Sequence, residues 1–237
     1  MNYTRSAIEQ REFERIFDTS TQTLRNKLGI SDSKTLEQVE RQVTRRAAQS
    51  PLPSTGQAMT YDGFKAIHAH LFGDLYAWAG QERKYTTGRG PSPFAPPEQI
   101  SSWMEKQFTA LRQEGFLQGL PKGEFAKRAA HYVNEMNAVH PFVDGNGRAQ
   151  RMWLRVLADR NGLEFRLGSK DREAWNKASM IGFNSTNKPM ADLIAANLRE
   201  RGKNQSQKKT SLQRKAGRAA KNYREQAEPD KNPERER

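Results

Sequence analysis

Apolar residues recur at helical spacing along most of the chain, and that pattern predicts its elements. The strongest set lies between Tyr61 and Trp78, where Phe64, Ile67, His68, Leu71, Phe72, Leu75 and Trp78 form one face and Gly73 is a candidate interruption. Ile100, Trp103, Met104, Phe108 and Leu111 follow Pro96-Pro97-Glu98, which has the proline and early acid of a helix start. Phe125, Ala129, Val133 and Met136 predict a helix from about Glu124 that delivers the chain to His140, where Pro141 disfavours continuation. Met152-Trp153-Leu154 and Val156-Leu157 predict another from Arg148 to Arg160, closed by Asn161-Gly162. Two more sets follow: Trp175, Ala178, Met180 and Ile181 after the start signals Ser169, Asp171 and Glu173, and Met190, Leu193, Ile194 and Leu198 after Pro189. Toward the N-terminus the pattern weakens. Thr4 to Phe17 is mostly charged, Gly29 between Leu28 and Ile30 is a candidate cap for a short helix, and Ser31-Asp32-Ser33 leads into Leu36, Val39 and Val43 on one face to about Ala48.

Three stretches resist a helix. Pro51 to Gly56 reads as a loop, and Leu163 to Leu167 alternates as a short extended segment. Gly80 to Phe94 is broken by Gly88, Gly90, Pro91 and Pro93, while Tyr85-Thr86-Thr87 favours strand; it predicts an exposed loop or small hairpin carrying Arg83, Lys84 and Arg89. The fold class is therefore all-α with one small hairpin.

Composition refines this picture at the C-terminus. The net charge is +13 over 237 residues, but residues 201–237 hold 12 Lys/Arg against 5 Asp/Glu and so supply +7 of it. With Leu212 and Tyr223 as its large apolar groups, that tail is expected to be disordered or a weak helix, open to direct contact with nucleic acid. Residues 1–200 form the expected domain. Absence of cysteine excludes a disulfide framework and cysteine-based zinc sites. No run has the length of a membrane span and the first residues lack a signal-peptide core, so no membrane partner and a cytoplasmic location are expected.

The chemistry concentrates between His140 and Arg151. A Gly-x-Gly turn opening a helix presents free N–H groups to an anion, and the helix dipole favours negative charge there. Taken singly, each residue has an ordinary reading. His140 alone would be surface decoration, Asp144 a turn cap, and Gly145-Asn146-Gly147 a tight turn. Together they offer a base, a carboxylate of the kind that holds Mg²⁺ beside phosphates, and a phosphate cradle. Arg148 and Arg151, three apart near a positive helix end, are unfavourable neighbours unless an anion sits there. Phe142 is expected to be an apolar anchor. His68 and His70 point different ways on a helix and are expected to pack rather than bind metal.

In order, His140, Phe142, Asp144, Gly145, Asn146, Gly147, Arg148 and Arg151 match every defined position of His-x-Phe-x-Asp/Glu-Gly-Asn-Gly-Arg-x-x-Arg. The sequence thus resembles the Fic family over roughly residues 20–200, and Leu71 to Gly80 and Phe94 to Ile100 look like the segments flanking that family's flap. The resemblance implies a helical bundle around a helix–loop–helix active site (140–151) with a β-hairpin flap at about 81–94. It implies transfer of AMP from ATP to a Tyr, Ser or Thr hydroxyl of a target protein. His140 would be the base and Asp144 the Mg²⁺ ligand. Gly145, Asn146, Gly147, Arg148 and Arg151 would hold the phosphates. Tyr85, Thr86, Thr87 and Gly88 would dock the target by main-chain pairing, although Thr87 stands where a large aliphatic residue is common. An inhibitory Ser/Thr-x-x-x-Glu-Gly/Asn helix is missing from the chain, which resembles toxins inhibited by a separate small antitoxin; stand-alone toxins of this kind commonly act on type II DNA topoisomerase subunits. The alternatives are a Fic-type transferase with another donor and a basic nucleic-acid-binding protein.

Overall fold

Residues 4–90, 92–168 and 171–201 are described by the structure, a computed structural model. Contacts divide the chain into Met1–Arg199 and Glu200–Arg237, and the architecture below is that of the first unit. The expectation for the basic tail lies outside the described residues, apart from Arg201.

Helix α1 (Ala7–Ile16) opens on a capping box: Glu9 N–H donates to Ser6 Oγ, and Ser6 N–H donates to the Glu9 carboxylate. An antiparallel pair follows, β1 (Phe17–Asp18) and β2 (Thr23–Leu24), with Phe17 opposite Leu24. The short helix expected around Gly29 is absent from these residues. Asn26 is the physical reason: its amide donates to the Leu24 and Ile30 carbonyls and accepts from the Leu28 and Ile30 N–H groups. A side chain that satisfies the main chain locally removes the incentive to coil.

Helix α2 (Ser33–Ala47) is capped by Asp32, and a single helical turn, α3 (Ser54–Gln57), forms where a loop was expected. Helix α4 (Tyr61–Phe72) stops at Gly73, so Leu75 to Trp78 continue as buried turns rather than helix. After the flap pair, β3 (Gly88–Arg89) with β4 (Ser92–Pro93), come α5 (Ile100–Gln113), α6 (Lys122–Val139) and α7 (Asn146–Arg160). The short strand β5 (Leu163–Phe165), α8 (Arg172–Asn184) and α9 (Lys188–Ala196) complete it.

Helix α6 is the axis of the bundle. It packs against α5, α7, α8 and α9, while α4 packs against α7 and α2. Its buried face alternates Ala126, Ala129 and Ala130 with Phe125, Val133 and Met136, so neighbouring helices approach closely over small residues and lock over large ones. The helical bundle with a small flap hairpin is as expected. Among the described residues, no helix is long and apolar enough to cross a membrane.

Candidate active site

The turn between α6 and α7 reverses in six residues and uses two left-handed positions to do so. His140 ends α6 at φ 51°, ψ 62°, its N–H donating to the Met136 carbonyl at 2.9 Å. Gly145, at φ 78°, precedes α7. A Cβ at Gly145 would lie 2.2 Å from the Phe72 ring, so space as well as backbone conformation demands glycine there. Phe142 is fully buried between Phe64 and His68, the anchor that its apolar character predicted.

Polar staples hold this loop from three sides. The Asn146 amide donates to the Phe142 carbonyl (2.8 Å) and accepts from the Phe142 N–H (3.0 Å). Its side chain therefore shapes the turn, leaving its main-chain N–H at the first turn of α7 for an anion. From α4, fully buried His68 accepts from Gly80 N–H at Nδ1, which assigns the proton to Nε2; that nitrogen donates to the Asp144 carbonyl at 2.9 Å. Burial keeps His68 neutral by lowering its pKa to about 4. His68 packs against Phe72 and Phe142.

The third staple is Arg83, which is 1% exposed and forms no ion pair among the described residues. Its guanidinium donates to the carbonyls of Tyr85 (2.8 Å), Ala95 (2.5 Å), Val139 (3.0 Å) and His140 (2.8 Å). Tyr85 and Ala95 are the two roots of the flap; Val139 and His140 are the end of α6. Only the rigid five-donor fork of arginine serves four carbonyls at once. Burial lowers its pKa to about 10, so it stays charged at neutral pH.

That cation bears on His140. Burial above all, then the charges of Arg89 and Arg83, lower the imidazole pKa to about 3. The ring stacks on Phe94 with centroids 3.9 Å apart and planes 1° from parallel, Nδ1 is buried, and the Asn137 main chain partly opposes the fall in pKa. The imidazole thus meets the cleft in neutral form. A polyphosphate arriving nearby would offset the two cations and recover the part of the basicity that they remove.

The cleft measures about 440 Å³ and is walled by α2, α7, α8, the loop and Arg89 of the flap. His140, Asp144, Gly145, Asn146, Gly147, Arg148 and Arg151 all line it, so the predicted base, carboxylate, cradle and cations converge. Arg151 extends toward the Trp175 ring, 5.6 Å from its centre; burial, Arg148, Arg172 and Arg155 lower its pKa to about 10. Among the described residues no carboxylate pairs with it. Such a crowd of cations is stable only where an anion is expected. Asp144 bonds Arg148 at 3.2 Å. Among the described residues no group of three or more His, Asp or Glu could enclose a metal. A lone carboxylate still fits Mg²⁺, which takes its other oxygens from phosphates and water.

The flap residues sit less as a docking edge would require. Tyr85 is buried against Phe13. Thr86 donates its N–H (2.7 Å) and hydroxyl (2.5 Å) to Glu9 of α1, and its carbonyl accepts from Arg5. The Thr87 carbonyl accepts from Phe94 inside the hairpin, and Gly88 begins β3. No pattern in the sequence marks His68, Arg83 or Glu9 as partners of the site. Each acts on main-chain atoms far away in the chain, and such partners follow from topology.

Fold and site together define a helical protein with a cation-lined cleft, suited to an anion, beside a neutral histidine. The chain belongs to the Fic/DOC family, whose profile matches residues 58–158. It is 36% identical over 177 residues to the probable protein adenylyltransferase Fic of Escherichia coli K12, covering 73% of this chain and 82% of that relative. It is 35% identical over 184 residues to the protein adenylyltransferase VbhT of Bartonella schoenbuchensis, covering 77% of this chain but only 38% of VbhT. Among solved structures, BepC of Bartonella tribocorum with bound AMPPNP aligns at a TM-score of 0.71 and 26% identity, covering 79% of this chain and 97% of that one.

Proposed function

We propose that the protein is a protein adenylyltransferase, joining AMP from ATP to a Tyr, Ser or Thr hydroxyl of another protein. One observation carries the reading: His140, kept neutral by burial, lines the cleft together with the first residues of α7 and with Arg148 and Arg151. The target oxygen forms a bond to the α-phosphorus, the bond from that phosphorus to the bridging oxygen breaks, and pyrophosphate leaves. His140 takes the hydroxyl proton as the new bond forms. Arg148, Arg151 and the α7 N–H groups fix the triphosphate in one orientation, so positioning and electrostatics supply most of the acceleration. Asp144 would hold Mg²⁺, which when bound supplies charge neutralisation at the phosphates.

Regulation belongs to the same proposal. Arg151, cationic and without a carboxylate partner among the described residues, suits a glutamate from another chain. A small antitoxin bearing a Ser/Thr-x-x-x-Glu-Gly/Asn helix is the partner of that chemistry, which makes the protein a toxin.

Labelled ATP tests the reaction. Purified protein, Mg²⁺ and a bacterial lysate are incubated with ATP labelled at the α- or the γ-phosphate. Protein labelling is expected from the α label only, and is lost in His140→Ala. Labelling from γ alone would overturn AMP transfer, while no labelling together with tight, salt-sensitive DNA binding would favour a nucleic-acid-binding protein.

A further inference from the structure

Arg148 does not stand free at the cleft. Its guanidinium is gripped on two sides: Nη1 donates to Glu40 Oε1 at 2.6 Å and Nη2 to Asp144 Oδ2 at 3.2 Å. The guanidinium carbon lies 4.5 Å from the centre of the fully buried Phe72 ring. Glu40 comes from α2, far from the loop in sequence, and its side chain is only 10% exposed. Its second oxygen accepts from the hydroxyl of Tyr76 at 2.5 Å, and Tyr76 is itself 1% exposed. The carboxylate is therefore fixed before it meets the arginine.

Two roles are open to an acid in such a place. A glutamate projecting into the cleft would compete with phosphate and inhibit. Glu40 is not among the residues that line the cleft, although Arg41, Thr44 and Arg45 of the same helix are. It holds Arg148 from behind and leaves the cleft clear.

We propose that Glu40, locked by Tyr76, is a positioning residue that presents Arg148 to the nucleotide phosphates. The claim rests on the nucleotide-binding reading of the cleft. The physical need is plain. Without Glu40, the nearest carboxylate to the guanidinium is Asp144, four residues earlier on the same loop and 49% exposed. Nη2 already bonds that group, so without Glu40 the cation would rest on Asp144 alone, the very group assigned to Mg²⁺, and both would be less available to the substrate. Held between Glu40 and the Phe72 ring, Arg148 keeps its remaining N–H donors and its charge for phosphate at little cost in ordering.

Simple electrostatics predicts the opposite outcome, which makes the idea testable. Removing an acid beside a polyphosphate site should tighten binding if Glu40 contributes only its charge. Binding of AMPPNP with Mg²⁺ to the full chain is measured by calorimetry for wild type, Glu40→Ala, Arg148→Ala and the double variant, with thermal unfolding as a check on folding. Glu40→Ala is expected to weaken binding roughly tenfold despite the lost negative charge, as expected when one partner of a fixed, charge-assisted pair is removed. In the Arg148→Ala background the same change should add almost nothing, because the effect passes through that arginine. Glu40→Gln, which keeps the shape and an acceptor oxygen, should recover part of the loss. Equal or tighter binding in folded Glu40→Ala would overturn the proposal, and so would losses that simply add in the double variant. Should Glu40→Ala fail to fold, Tyr76→Phe removes one hydroxyl and is expected to weaken binding about twofold to threefold; no change there would likewise count against it. If wild type does not bind AMPPNP, the nucleotide reading fails and takes this proposal with it. That result differs from one in which wild type binds and the variants bind equally well.

Discussion

The loop from His140 to Arg151 and the flap from Gln81 to Phe94 face the same cleft, yet they are built in opposite ways. The loop is over-determined. Phe142 plugs it into the core, Gly145 lies against Phe72, and His68, Arg83 and Asn146 fasten its main chain at Asp144, Val139, His140 and Phe142. The flap is fastened at its roots, where Arg83 reaches the Tyr85 and Ala95 carbonyls, and at Thr86, which Glu9 and Arg5 bond from α1 and the residues before it. Its hairpin has two residues per strand, and Gly88 to Pro93 is half-buried or exposed where described. The difference suits the proposed function. A triphosphate would always be the same, so its cradle would gain from rigidity. A polypeptide target would bring its own backbone, and a short hairpin could adapt to it.

The largest expected effect tests whether one residue joins the two regions. Arg83→Met deletes every donor of the fork and leaves four carbonyls to be satisfied in the interior. Breaking such a network should cost at least about 3 kcal/mol, read as a lower midpoint in urea unfolding. A loss below about 1 kcal/mol would mean that loop and flap are held independently. His68→Leu is the matched test on the loop alone. It strips partners from the Asp144 carbonyl and the Gly80 N–H, and a cost of about 1–3 kcal/mol is expected. Label transfer from ATP should fall as well, since Asp144 would no longer be held in place.

A titration separates the loop further. The His140 pKa lies at about 3 in the folded protein against an ordinary 6.5, so the unfolded chain binds a proton that the folded chain refuses. Stability must then fall as pH drops below about 6.5, and continue to fall until pH reaches about 3. His68, lowered to about 4, contributes in the same direction and over much of the same window. Thermal unfolding between pH 7 and 4 should therefore show a slope that His140→Ala makes shallower. An unchanged slope would place the imidazole in a more solvated setting than the Phe94 stack and buried Nδ1 indicate.

The contrast also explains what could be read from sequence. Every residue of the loop that lines the cleft is local: the histidine, the acid, the glycines and both arginines fall within twelve positions, and their order carries the chemistry. Helical periodicity located α4 through α9 because each buries a continuous stripe. The short helix expected near Gly29 was displaced by Asn26, whose side chain bonds four nearby main-chain groups. The supports were invisible for a different reason. Glu40 meets Arg148 across 108 positions, Arg83 meets His140 across 57, and Glu9 meets Thr86 across 77. A cation or acid on a helix or loop looks solvated until the fold supplies its partner, and nothing in the local pattern distinguishes Arg83 from Lys84.

The smallest effect is expected at the flap edge. Thr86 offers its N–H and carbonyl on the side of the hairpin away from Phe94, and both are engaged by α1: Glu9 takes the N–H and Arg5 donates to the carbonyl. The hydrogen bonds from Thr86 and Ser6 pull the Glu9 pKa from 4.5 down to about 2. Its stabilising contribution is therefore complete above about pH 4.5 and is lost as pH falls toward 2. Because this carboxylate is largely open to solvent, Glu9→Ala should cost about 1 kcal/mol or less at neutral pH. The informative signal is local. Exchange of the Thr86 amide hydrogen should accelerate in Glu9→Ala, while the Phe142 N–H, held by Asn146 inside the loop, keeps its protection. Equal acceleration at both amides would show that flap and loop open as one unit, and the division between a rigid cradle and an adaptable edge would not stand.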